Sequence, residues 1–317
     1  MAALTAPGEL AFGLQLPIQT LTRTLRDPWE DDATVSDLVA IARAADSGGL
    51  DFVGVCDHVA IPDNEYAQHM TTTWYDTVAT LSYLAANTTN IGLLSVVWIA
   101  AYRHPLATAS AFGTLDHLSG GRAILGVGAG HVEAEFEALG VDFATRGKRL
   151  DDTLEALDHV WDDTYVSHDG PYYRYENVGV GPKPPSGELT TWIAGGGKAA
   201  IRRVGAYGDG FIPFTNPHDG YPQLIADIDA AAEAAGRGDT HFDIGIMPPW
   251  MYIGEPPEGI GPHQLAGSAE QIAEELLRER DLGANVFHVK FRGRDLSEYL
   301  DQLTAFAEQV VPLVTSA

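Results

Sequence analysis

Residues 123–133 read AILGVGAGHVE, from Ala123 to Glu133. The first five residues are an apolar run of strand length. The rest places glycine at Gly126, Gly128 and Gly130. A dinucleotide-binding turn has the form G-x-G-x-x-G, with an acidic residue further on for a ribose. This stretch has neither, so it is not a Rossmann turn. It reads as a buried strand over 123–127 that ends in glycine. Glycine at a strand end lets a flat ligand come close to the backbone, although an ordinary tight turn has the same spacing.

The pattern repeats on both sides. Short apolar runs at 12–16, 52–56, 91–97, 191–194, 210–213, 242–246 and 286–290 make eight candidate strands with 123–127. Amphipathic stretches lie between them. Residues 35–45 place Val35, Leu38, Val39, Ala42 and Ala45 on one stripe. Further helices are expected over 77–86, 105–118, 133–161, 268–280 and 296–310, and from Lys198 onward. Ser268 and Gln271 form a capping box for the helix over 268–280. Buried strands alternating with helices imply a parallel sheet, hence the α/β class. Eight such units match a (β/α)8 TIM barrel, whose usual length of ~250 residues leaves the surplus for insertions at the C-terminal rim. The insertions fall at 129–185 and 247–267, both after strand ends. A single domain over 1–317 is the simplest reading, with a doubly wound sheet as the rival fold.

Bulk properties narrow the function. The chain has 317 residues, 45% hydrophobic, with a formal net charge of −25. That charge repels nucleic acid and anionic membranes. No run approaches the ~18 apolar residues of a membrane span. A cytoplasmic protein acting on a small molecule is expected. Cys56 is the only cysteine, so no intramolecular disulfide can form, and its apolar surroundings predict a buried, inert thiol.

Several residues at strand ends could carry chemistry. Gly195, Gly196 and Gly197 follow the strand TWIA and precede a helix that begins at Lys198. Free amides at such a junction bind phosphate. Asp57 and His58 end the second strand, and a histidine there can move a proton near neutral pH. His104, His131 and His288 also lie at or beyond strand ends. No metal-ligand spacing such as H-E-x-x-H accompanies them, so no metal is expected. Trp74, Trp98 and Trp250 are candidates for the wall of a substrate pocket, together with Tyr75, Tyr102 and Tyr252.

Longer segments carry a resemblance. HPLATASAFGTLDHLSGGRAILGVGAGHVEAEFEALGVDFATRGKRLDDTLEAL and WIAGGGKAAIRRVGAYGDGFIPF resemble the two signatures of the bacterial luciferase-like flavin and deazaflavin oxidoreductases, and GLDFVGVCDHV and LAGSAEQIAEEL agree. The resemblance implies a (β/α)8 barrel that binds coenzyme F420 or FMN at its C-terminal rim. It implies that Gly195, Gly196 and Gly197 hold the cofactor phosphate; Lys198, next in the chain, either adds a charged contact there or points to solvent. It places Asp57 and His58 near the redox ring and Gly128 and Gly130 beside it. It also implies a non-prolyl cis peptide at Ser95–Val96 that backs the ring. His131 stands where the deazaflavin sugar-phosphate dehydrogenases have a glutamate, which puts glucose-6-phosphate oxidation in doubt. The overall pattern is closer to the F420 branch. The expected function is hydride transfer between deazaflavin and a small organic substrate, with His58 as acid or base and His131 second. The alternative is a two-component FMN monooxygenase with a flavin reductase partner. A homodimer is expected from the resemblance alone. A cofactor-free member and a metal hydrolase are more distant rivals.

Overall fold

Strand residues alternate between two sides, so each apolar strand here must bury both. The computed structural model describes all residues except 1–2, 19, 23–25, 66–68, 215, 261–263 and 317, with no side-chain description at 20–22 and 264. Part of the second predicted insertion, 261–263, therefore lies outside the described residues. The strands are β1 (Ala11–Gln15), β2 (Phe52–Val55), β3 (Gly92–Ser95), β4 (Ala123–Gly128), β5 (Thr190–Ala194), β6 (Gly210–Ile212), β7 (Asp243–Ile246) and β8 (Val286–Val289). All neighbours pair in parallel. β5 also pairs with β4, with Thr190 opposite Ile124, and this closes the ring. The α/β barrel expected from the alternation is the fold observed.

Each strand leads to a helix: α1 (Val35–Ser47), α2 (Thr77–Ala85), α3 (Pro105–Ser119), α4 (Arg146–His159), α5 (Lys198–Tyr207), α6 (Tyr221–Ala234), α7 (Ala269–Asp281) and α8 (Leu296–Ala305). Their first turns are held by side chains. Asp76 accepts from the Ala79 amide at 2.8 Å, and the Ser268–Gln271 capping box forms as expected. Strand residues of one parity, such as Phe12, Val53, Leu93, Leu125 and Phe287, pack outward against these helices. Those of the other parity fill the barrel: Ala11, Phe52, Leu94, Ile124, Trp192, Ile212 and Val286 form one apolar tier. The next tier up contains Gly13, Gly54 and Gly126. A side chain at Gly13 would overlap the Phe52 ring, and one at Gly54 would come within 2.8 Å of His288 Nε2. Glycine at these positions makes room for Phe52 and His288, and the hollow of the barrel lies above them.

Four expectations need correction. The helix over 133–161 is two helices, Glu133–Ala138 and α4. Gly140, at φ +70°, and the turn Phe143–Thr145 separate them. The strand over 91–97 stops at Ser95, and the chain resumes pairing with β4 at Trp98–Ile99. The non-prolyl cis bond lies between them at Val96–Val97, one residue later than Ser95–Val96. Finally, the turn-rich piece of the first insertion contains an antiparallel hairpin, Val166–Asp169 with Arg174–Val178.

Candidate active site

The hollow opens at the C-terminal ends of the strands as a cavity of about 620 Å3. That is within the usual range for a small-molecule site. Its wall brings together Asp57, His58, Trp74, Val96, Tyr102, Gly128, Gly130, His131, Gly195, Trp250 and His288 of the predicted residues. Eight do not reach it, Tyr75, His104 and Tyr252 among them. Ser95 is buried, and its hydroxyl donates to the Gly126 carbonyl at 2.9 Å. Trp98 points into the shell around the barrel, where its Nε1 donates to Thr108 Oγ1 at 3.0 Å and Arg103 lies 3.6 Å above its ring. The cis bond before it interrupts the strand's alternation, so counting from β3 misplaces it. Gly196, Gly197 and Lys198 are exposed in the turn into α5, beyond the wall. Cys56 is half-buried on the wall rather than fully enclosed, with the Gln15 amide 3.4 Å from its sulfur.

Asp57 supports the wall from behind. Its carboxylate accepts the Ile99 amide at 2.8 Å and both terminal nitrogens of Arg103, at 2.6 and 2.9 Å. This bidentate pair ties the end of β2 to the segment after the cis bond. His58, the next residue, turns the other way. Its Nδ1 lies 2.9 Å from Glu135 Oε2, and its ring rests 4.3 Å from that of Trp74.

Glu135 was not apparent from the sequence and is the most consequential addition. It is fully buried. Its second oxygen accepts the amides of Val59 and Ala60 at 2.5 and 3.0 Å. Burial raises the Glu135 pKa, but the hydrogen bonds from His58 and these amides outweigh it and hold it below the usual carboxylate value. Glu135 is thus an anion at neutral pH. Tyr102, also on the wall, is pushed well above the usual phenol range by burial and then by Glu135. His131 stands 6.2 Å from His58, ring to ring. Burial lowers its pKa and His58 lowers it further, against the pull of Glu135.

The rim fits a flat ligand with an anionic tail. A side chain at Gly128 would meet Val97 at 2.8 Å, and Gly130 sits at φ +82° against Ile99 and Phe136, so bare backbone lines the cavity at both positions. Past Gly195, α5 begins at Gly197 with no side-chain cap. Its first amides are therefore available to an anion. Among the described residues, no group of three His, Cys, Asp or Glu is arranged to hold a metal ion.

The family model for luciferase-like monooxygenases matches residues 12–260. The chain belongs to this family. Within the luciferase-like proteins, a 5,10-methylenetetrahydromethanopterin reductase of Archaeoglobus fulgidus is 26% identical over 78% of this chain and 75% of its own. An F420-dependent glucose-6-phosphate dehydrogenase of Kribbella flavida is 27% identical over 88% of this chain and 94% of its own. Among solved structures, an F420-dependent secondary alcohol dehydrogenase in complex with an F420–acetone adduct superposes with a TM-score of 0.77 at 18% identity, covering 96% of this chain and 99% of that one. The EDTA monooxygenase of Chelativorans sp. BNC1 gives 0.78 at 16%, covering 97% and 94%. These two structural likenesses concern the luciferase-like fold alone. No helix among the described residues is long and apolar enough to cross a membrane.

Proposed function

We propose that this chain is an F420-dependent oxidoreductase that transfers hydride between the deazaflavin and a small organic substrate. The observation that carries the reading is the His58–Glu135 pair on the wall of a mostly apolar cavity, with the glycine rim and the uncapped start of α5 beside it. The F420-dependent relatives over most of the chain support the choice of cofactor. When bound, the deazaflavin supplies a ring carbon that gives or takes hydride.

The chain's own residues do the rest. Backbone amides around Gly195, Gly196, Gly197 and Lys198 hold the anionic tail. Val96 and Val97 back the ring, and Gly128 and Gly130 leave it room. Glu135 accepts the Nδ1 proton of His58, which fixes the tautomer with an Nε2 lone pair for the cavity. Nε2 takes the proton of a substrate hydroxyl as a carbonyl forms, or returns it in the reverse direction. His131, kept neutral by burial, lines the same space as the second candidate.

Equilibrium titration with F420 and FMN side by side tests the cofactor. F420 is expected to bind at least tenfold more tightly. A preference for FMN would assign the chain to the two-component monooxygenases, with a flavin reductase partner. Binding of neither would mark a cofactor-free member. We also propose a homodimer, for which sedimentation is expected to give twice the 34.0 kDa of one chain.

A further inference from the structure

β8 and the residue that follows it supply two cavity-lining polar residues that the mechanism above does not use, His288 and Lys290. In the closed sheet β8 is four strands from β4, so they face the glycine rim across the mouth. Both line the cavity, yet they are only 7% and 6% exposed. His288 Nε2 has no hydrogen-bond partner among the described residues. Burial holds the ring's pKa down to about 4, against hydrogen bonding to the Leu14 backbone. The imidazole is neutral at pH 7, with Nε2 as an unused acceptor. Lys290 Nζ sits 3.7 Å over the Trp250 ring and 3.9 Å from Glu30. It makes no hydrogen bond to a described residue. The Glu30 carboxylate is itself engaged, accepting the amides of Ile18 and Asp27 at 2.9 Å each. Leaving a buried ammonium and a buried imidazole nitrogen without hydrogen bonds is costly unless a ligand completes them.

Such a ligand brings a negative oxygen to Lys290 and an O–H donor to His288. A 2-hydroxycarboxylate carries both groups on adjacent carbons, a carboxylate for the ammonium and a hydroxyl for the imidazole. The local charges favour a monoanion. Arg292 is already paired with Asp27 at 2.9 Å, and a dianion such as phosphate would crowd the carboxylate of Glu30. The surrounding wall, with Met70, Ile212 and Met247, is apolar. We infer that the end of β8 is a substrate subsite for a small hydroxylated monocarboxylate with an apolar body, Lys290 binding the carboxylate and His288 accepting from a hydroxyl beside it, distinct from the group whose proton His58 moves. This rests on the proposed function only in sharing its cavity. The cofactor titrations test that function separately, without these probes.

Burial holds Lys290 at about pKa 8, against the pull of Glu30; Arg292 lowers it further, while Asp27 and Cys56 oppose. A bound carboxylate raises it, so binding near pH 8 takes up a proton. Calorimetry on the full-length protein with mandelate, mandelamide and phenylacetate tests the subsite. Mandelate is expected to bind at least tenfold more tightly than either analogue. Lys290→Met should bring mandelate to the affinity of mandelamide and leave mandelamide unchanged. His288→Phe should bring mandelate to the affinity of phenylacetate. Should either variant fail to fold, mandelate binding to the unaltered protein at pH 8, in two buffers of different ionisation enthalpy, must still show proton uptake. Equal affinities for the three probes, mandelate binding that survives Lys290→Met, or binding without proton uptake would each overturn the assignment.

Discussion

Glu135→Gln keeps an oxygen for the Val59 and Ala60 amides but removes the charge behind His58. If Glu135 positions His58 as proposed, kcat falls about 10- to 100-fold, KM changes less than threefold and the pH–rate profile changes shape. A purely structural role predicts the reverse, a lower melting temperature with kcat intact. At this scale the sequence reveals the residues that end strands. Asp57, His58, His131 and Gly128 are placed by counting along an apolar run. Glu135 is hidden because it lies among Glu133 and Glu137 in a short acidic segment, where one buried carboxylate looks like its solvated neighbours. His288 and Lys290 are visible as a pair two residues apart on an apolar strand, but only the fold shows that both face the cavity.

The hairpin of the first insertion is pinned through one side chain on α4. Asp152 is buried, with its oxygens 2.7 Å from His168 Nε2 and 2.7 and 2.9 Å from the amide nitrogens of Tyr172 and Tyr173. Asp152→Ala leaves those donors unpaired, and a loss of about 3 kcal/mol is expected in urea unfolding, with Asp152→Asn losing less. The hairpin was not legible because its strands, VSHD and RYENV, are half exposed and mostly polar, and they flank the turn-forming Asp169-Gly170-Pro171. α6 is faint for a related reason. Its buried stripe is only Tyr221, Leu224, Ile228 and Ala232, set among alanine and acidic residues. The eight barrel strands were legible because each is short, apolar on both faces and followed by a polar turn. Their ends agree with expectation to within one residue, except at β3, where a cis bond replaces the last two.

Across the whole molecule, pH acts on the end of the barrel away from the cavity. Burial raises the Asp209 pKa to about 6, and Asp243 adds to the rise; the Thr191 amide and Arg237 oppose it. The folded value lies above the ordinary 3.8, so the folded chain keeps a proton that the unfolded chain loses. Stability from this group is therefore present below about pH 4, falls as pH rises toward 6 and stays lost above it. Relative to the parent, Asp209→Asn is expected to gain little at pH 4 and about 2–3 kcal/mol at pH 7, as read by urea titrations at the two pH values. The tier of Gly13, Gly54 and Gly126 has a different consequence. Below it, Phe52, Leu94, Ile124 and Trp192 seal the shaft, so traffic is one-way in geometry: whatever descends past Trp74 and Trp250 must climb out by the same throat. Dead-end adducts formed in the shaft cannot escape through the base.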